Sequence, residues 1–273
     1  MKITKSKLHG WSACNDGYEW FLRRFPDGEA DYQDVLNALV EDGQLSYAHW
    51  LINHAGPDCD AVLEVDGIAD CKNFFAAGRL VIKTRATVTG WLRAGKGIKA
   101  GEGIKAGLDG IDAGWGINAG WGIEAGKGIK AGEGIKAGWG IKAGTYIKAG
   151  DGIEAGLGIK AGWGIKAGDG IEAGWGIKAG EGIKAGEGIK AGTGIKAGEG
   201  IKAGEGIKAG LGIKAGEGIK AGEGIKAGEG IEAGGGFGVF AGLRLQLADW
   251  PINARVIANV KPDNLVSGSW ANQ

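Results

Sequence analysis

From Ile98 to Ile231 an isoleucine returns every six residues, twenty-three times, in the unit Ile-Lys-Ala-Gly-X-Gly. One interval is seven, from Ile104 to Ile111, where Leu108-Asp109-Gly110 carries an extra residue. Side chains alternate sides along an extended chain, so Ile and Ala point one way and the Lys between them the other. Each hexad therefore predicts a short strand with Ile and Ala inward, then a corner whose X residue (Glu, Trp, Asp, Leu, Thr or Lys) faces out. Self-similarity at a fixed period marks a repeat architecture. Glycine at two of every six positions excludes a helix, at about 1 kcal/mol each against alanine. Collagen packing needs glycine every third residue, and here the gaps alternate two and four. A flexible Gly-rich linker has no reason to keep isoleucine at every sixth position.

The X residues give the number of hexads per coil. Taken every third unit, one series reads Glu102, Trp121, Trp139, Leu157, Trp175, Thr193, Leu211, Glu229. A second reads Trp115, Glu133, Asp151, Asp169, Glu187, Glu205, Glu223, and a third Leu108, Lys127, Thr145, Trp163, Glu181, Glu199, Glu217. Sorting by threes separates an apolar column from an acidic one, so neighbouring rungs stack like with like at ~4.8 Å. This predicts a mainly β fold, a three-sided β-helix (β-solenoid) of 18 residues per coil, with about eight regular coils over ~35–40 Å. Lys130, Lys148, Lys166, Lys184, Lys202 and Lys220, each three residues before an acid, are expected to compensate the acidic column.

The flanks predict caps. Residues 11–56 read as three short helices: one opened by an Asp16-x-x-Glu19 capping box and stopped at Pro26-Asp27-Gly28, one capped by Asp31 and ending at Gly43, one opened by Ser46 and closing at Gly56-Pro57. Val62, Ile68, Phe74, Leu80, Ala86 and Leu92 share the phase of Ile98, which makes 61–97 degenerate first coils. Phe237 and Leu243 keep the phase at the far end, Leu243, Leu245 and Leu247 alternate as a half-buried strand, and Ala254–Val260 reads as its partner. The division expected is a helical module (1–60), degenerate coils (61–97), the regular solenoid (98–236) and a C-terminal β cap (237–273).

Composition sharpens this picture. Glycine is 59 of 273 residues and proline 4, while 32 basic and 32 acidic residues cancel. That balance disfavours a nucleic-acid partner and DNA mimicry. No apolar run reaches 18 residues, so no membrane span is expected, and no apolar segment of signal-peptide type follows the basic start. Three cysteines without a CxxC point to a reduced, cytoplasmic chain.

The stretch Gly97-Ile98-Lys99-Ala100-Gly101-Glu102-Gly103-Ile104 resembles the strands of bactofilins and related polymer-forming bacterial proteins. That resemblance implies a right-handed three-sided β-helix and self-assembly. Hexapeptide acyltransferases differ: they want a small residue two positions before the aliphatic one, where this chain has X, and no histidine lies in the repeat. The string Ala13-Cys14-Asn15-Asp16-Gly17-Tyr18-Glu19-Trp20-Phe21 is similar to a short N-terminal module of uncharacterised phage and bacterial proteins. It implies a phage or prophage origin and carries no function over.

No catalytic or metal residue and no cofactor is expected. His49 and His54 sit five apart, off a common helix face, and with Cys59 and Cys71 fit no metal spacing. His9, Ser12 and Cys14 lack a nucleophile signature, and the Gly-x-Gly units never form a phosphate loop. The anomaly is the apolar column Trp121, Trp139, Leu157, Trp175, Leu211, with Trp115, Trp163 and Tyr146 expected near it, because soluble monomers rarely expose such a stripe. The caps, a second copy or a foreign protein could cover it. The expectation is a non-enzymatic interaction protein, a homodimer or a binder of another protein such as a host defence component. The alternatives are a bactofilin-like scaffold and, behind it, ice binding, which needs a threonine ladder where the repeat has only Thr145 and Thr193.

Overall fold

A computed structural model describes residues 1–243 and 249–272, apart from the side chain of Asp70. The repeat winds into a β-solenoid of about eleven turns with three parallel sheets as its faces. The first face has twelve strands, from Val62–Val65 to Ser269–Ala271; the second has ten, from Ile68–Cys71 to Ile231–Glu232; the third has eleven, from Phe74–Ala76 to Leu265–Ser267. Each strand pairs with the one a coil away, as Ile123 with Ile141, 18 residues on. Across the seven-residue interval the offset is 19, as in Ile104 with Ile123. The extra residue is absorbed at a corner: Lys127 N–H bonds the carbonyl of Asp109, and Leu108 is left 77% exposed.

Every isoleucine of the repeat is buried, with the alanines between them, in one continuous core. The two glycines of each hexad serve different ends. A Cβ on Gly180, after the alanine, would stand 1.8 Å from the carbonyl oxygen of Gly162 one coil back, so close stacking demands glycine there. A Cβ on Gly182, before the isoleucine, would stand 3.4 Å from the oxygen of Gly200, an ordinary contact.

The N-terminal module has four helices, α1 (Lys5–Gly10), α2 (Asn15–Arg24), α3 (Tyr32–Glu41) and α4 (Leu45–Ala55), and an antiparallel pair of Lys2–Thr4 with Glu29–Asp31. Asp31 caps α3 through Gln33 N–H, as the sequence predicts. The other two expected starts shift. Helix α2 begins at Asn15 behind Cys14 without a side-chain cap, leaving Asp16 in the first turn, where the helix dipole favours an acid. Helix α4 begins at Leu45, not Ser46. Helix α1, capped by Thr4, spans six residues, too few for a periodic signal in the sequence.

Two phase readings fail at the ends. Leu63, not Val62, pairs with Leu80, because the first coil closes in 17 residues; Val62 is 55% exposed. Val239 pairs with Ile219 after a 20-residue interval, which puts Phe237 and Leu243 outside. The expected strand over 254–260 is Arg255–Ile257, behind the short helix α5 (Trp250–Asn253), and it pairs with Ile225–Ala227 and Ser269–Ala271. Leu245 and Leu247 lie outside the described residues.

The module caps one face. Gln33 of α3 imitates a further strand beyond Phe74–Ala76, donating to the carbonyl of Phe75 at 2.8 Å and accepting from Ala77 N–H at 2.9 Å. Open strand edges need such partners. Arg93, at the centre of the next third-face strand, is buried beneath α4, where it donates to His49 Nδ1 at 2.6 Å and to Asn53, and lies 3.5 Å from Asp112.

Candidate functional site

The X residues of the first series stand on the corner between the first and second faces. Their backbones form one ladder, each N–H bonding the carbonyl one coil back, from Trp121 on Glu102 to Glu229 on Leu211. Trp121 and Trp139 stack with centroids 5.4 Å apart and planes 8° from parallel, the spacing the rungs impose. Trp121, Trp139, Trp175 and Leu211 are 42, 55, 63 and 46% exposed, and Leu157 is half-buried between its neighbours. Thr193 interrupts the column at one rung. At the start of the ridge Arg85 bonds Glu102 and sits 5.8 Å over the Trp121 ring.

The other expected members stand elsewhere. Trp163 is on the corner between the second and third faces, on the Thr145 carbonyl, and Trp115 is on the corner between the third and first. The Tyr146 ring lies over Gly128 on the third face, so strongly that a Cβ there would meet its Cζ at 2.5 Å. Apolar type grouped these residues with the ridge, although the every-third-hexad series already separate Trp115 and Trp163 from it. The helical module contacts the third face, opposite the ridge, and the C-terminal segment hydrogen-bonds the ridge at Glu229, through Asn259 N–H. The described part of the caps leaves these ridge side chains exposed.

Beside each corner runs a trough along the axis, because the residue after X is glycine. It lies between the X column and the mid-strand column, and on the second face Trp121, Thr193, Leu211 and Glu229 are the X residues that line it. The second-face trough has a volume of about 1410 Å³ and runs from Arg85 to the segment 260–264. Its mid-strand wall carries Lys142, Lys160, Lys178, Lys196 and Lys214 in register. Lys142 pairs with Glu124 at 2.9 Å and Lys214 with Glu232 at 2.7 Å, and the Lys142 hydrogen bond holds the Glu124 carboxyl below its ordinary pKa.

Charge compensation runs along the axis more than across corners. Lys136–Glu154 (2.9 Å), Lys190–Glu172 (2.6 Å) and Lys127–Asp109 (2.7 Å) each join residues one coil apart. The third-face lysines Lys130, Lys148, Lys166, Lys184, Lys202 and Lys220 lie beside the acidic corner, and among the described residues none makes an ion pair with it within 4.0 Å.

The residues weighed for chemistry are dispersed. His49 meets Phe75 and Trp91 edge-on, and burial, reinforced by the Arg93 guanidinium, lowers its pKa. His54 stacks on Trp50 and bonds its carbonyl. Cys14, Cys59 and Cys71 are free thiols. Among the described residues no group of three or more His, Cys, Asp and Glu could hold a metal ion. No helix is long and apolar enough to cross a membrane.

Comparison with known proteins reaches the module. Residues 1–55 match the family described as the YdhT N-terminal domain. Over 55 residues the chain is 40% identical to the uncharacterized protein YdhT of Escherichia coli K12, covering 20% of this chain and 20% of that one. The chain thus spans about a fifth of the relative it matches, and the solenoid lies outside the match. No solved structure matches the chain.

Proposed function

We propose that this chain is a non-enzymatic interaction protein, a rigid rod whose ridge Trp121, Trp139, Leu157, Trp175, Leu211 buries itself against another protein surface. The observation that carries the reading is the uncovered ridge: three half-exposed tryptophans on one corner, opposite the face where the module docks. Each offers on the order of 100 Å² of ring surface, and tryptophan is the residue richest in binding energy at interfaces. The first occupant is a second copy, since a straight stripe meets its own image across a two-fold axis. Size exclusion with light scattering on the wild type and on Trp139→Glu/Trp175→Glu tests it. A dimer that becomes a folded monomer supports self-association. A wild-type monomer refutes the dimer and leaves a foreign protein as occupant, the host target a phage-encoded binder would take.

A second reading, a bactofilin-like scaffold that stacks end to end, is favoured by the C-terminal end of the rod. There the edge strands Leu265–Ser267 and Ser269–Ala271 are outermost in their sheets, with Val266 65% and Trp270 39% exposed. It predicts concentration-dependent filaments that disappear when residues 265–271 are removed.

A further inference from the structure

We infer that the second-face trough is a binding site for an acidic amphipathic helix of a partner protein. The inference goes beyond the ridge reading, because three-sided rods meeting corner to corner diverge on both sides of the contact and leave this trough open.

Three observations carry it. The first is the floor. Gly140, Gly158, Gly176 and Gly194 line it, and none has the positive φ that would require glycine. A Cβ at these positions would stand 3.1–3.3 Å from its nearest backbone oxygen, a tight contact rather than the overlap found after each alanine. Tyr146 shows, on the third face, that this position of the hexad accepts a large ring, which then fills the trough. Glycine on the second face keeps the floor clear at a cost in chain entropy.

The second is charge. Between Glu124 and Glu232 the mid-strand wall is five consecutive lysines, of which Lys160, Lys178 and Lys196 have no ion-pair partner among the described residues. The facing ridge carries no charge from Trp121 to Leu211, and Trp121, Thr193 and Leu211 are the members of it that line the trough. The other troughs differ: the first-face wall has Glu154 and Glu172 among its lysines, and the third-face lysines face Glu181, Glu199 and Glu217. Among the described residues, the second-face trough alone sets an uninterrupted run of lysines against an uncharged wall.

The third is dimension. From X to Lys is three residues, at most about 10 Å at ~3.3 Å each, and a helix with its side chains is ~10–12 Å across. Successive lysines rise by ~4.8 Å, and one face of a helix repeats every ~5.4 Å, so five rungs fall out of step by only ~2.4 Å. That error is within the swing of a lysine side chain. Same-side residues of an extended peptide recur every ~6.6–6.8 Å and are lost by more than a rung over the same span. A helix with an apolar stripe on the ridge and acids one turn apart against the lysines satisfies both walls.

The test uses the full chain and labelled synthetic peptides of about 16 residues, ~24 Å as helix. One has leucines on a helical stripe flanked by glutamates, one is its scramble, and a third is polyglutamate of equal length. Anisotropy titration is expected to show the patterned peptide binding at least about tenfold tighter than the scramble, and weakening with salt. Lys160→Glu/Lys178→Glu/Lys196→Glu, all exposed positions, should lower affinity by at least about tenfold, whereas Lys130→Glu/Lys148→Glu/Lys166→Glu on the third face should not. Equal binding of scramble or polyglutamate would mean an unpatterned polyanion site and overturn the proposal. So would binding indifferent to the second-face substitutions, or none at millimolar peptide. Light scattering on the same samples reads dimerisation separately, so the two readings fail independently.

Discussion

The two glycines of a hexad should respond oppositely to one added methyl group. In Gly180→Ala the new Cβ would fall 1.8 Å from the Gly162 oxygen and 2.9 Å from its carbon. Relief requires the coils to separate locally by more than an ångström, which strains the Gly180 N–H bond to the Ala161 carbonyl, now 3.2 Å. Overpacking of this kind plus a weakened hydrogen bond amounts to roughly 2–4 kcal/mol. In Gly182→Ala the Cβ meets only the Gly200 oxygen at 3.4 Å, and the unfolded chain loses freedom, so the change is from neutral to stabilising by up to about 1 kcal/mol. Coils contact only their neighbours, so one global midpoint blurs a local defect. Hydrogen exchange at the amides of Ile177, Ile183 and Ile195 is the better assay: it should speed by on the order of 30-fold or more in Gly180→Ala and hold or slow in Gly182→Ala. Equal acceleration in both would refute the division of labour between the glycines, and with it the argument that floor glycines serve the trough.

Gln33→Leu should uncap the third face, removing two hydrogen bonds to a strand edge at a cost of about 1–3 kcal/mol, with faster exchange of the Ala77 amide and no change in mid-solenoid coils. Docking of the module should weaken in acid. His49 has its folded pKa lowered from 6.5, so the unfolded state takes up the proton first and stability is lost as pH falls below 6.5. His49→Gln should flatten that dependence in a pH series of denaturant melts, and an unchanged slope would contradict it. Trp139→Glu/Trp175→Glu should abolish self-association with the far-ultraviolet circular dichroism retained, because both side chains project from the solenoid.

The hexad period by itself determined the solenoid. Isoleucine every six residues gives strand and corner, and sorting X by threes gives the coil, because in-register stacking makes sequence distance 18 the nearest neighbour in space. Asp31 and the helical run behind it were legible for the same reason: the signal is local. What failed was extrapolation of phase through irregular coils. The 17-residue turn at Leu63 shifts only the first strand, since Ile68 and Phe74 keep their phase, the 20-residue turn at Val239 puts Phe237 and Leu243 outside, and no local rule announces either. The ridge was legible as a column, but its neighbours were not. Sorting by threes already set Trp115 and Trp163 in other columns, and the closed three-sided coil turns those columns into other corners, lays Tyr146 on the third face and places the module opposite the ridge. Tertiary contact also decided the Gln33 cap and the Arg93–His49 junction, since both join residues about 40 apart whose pairing exists only once the first coil has closed.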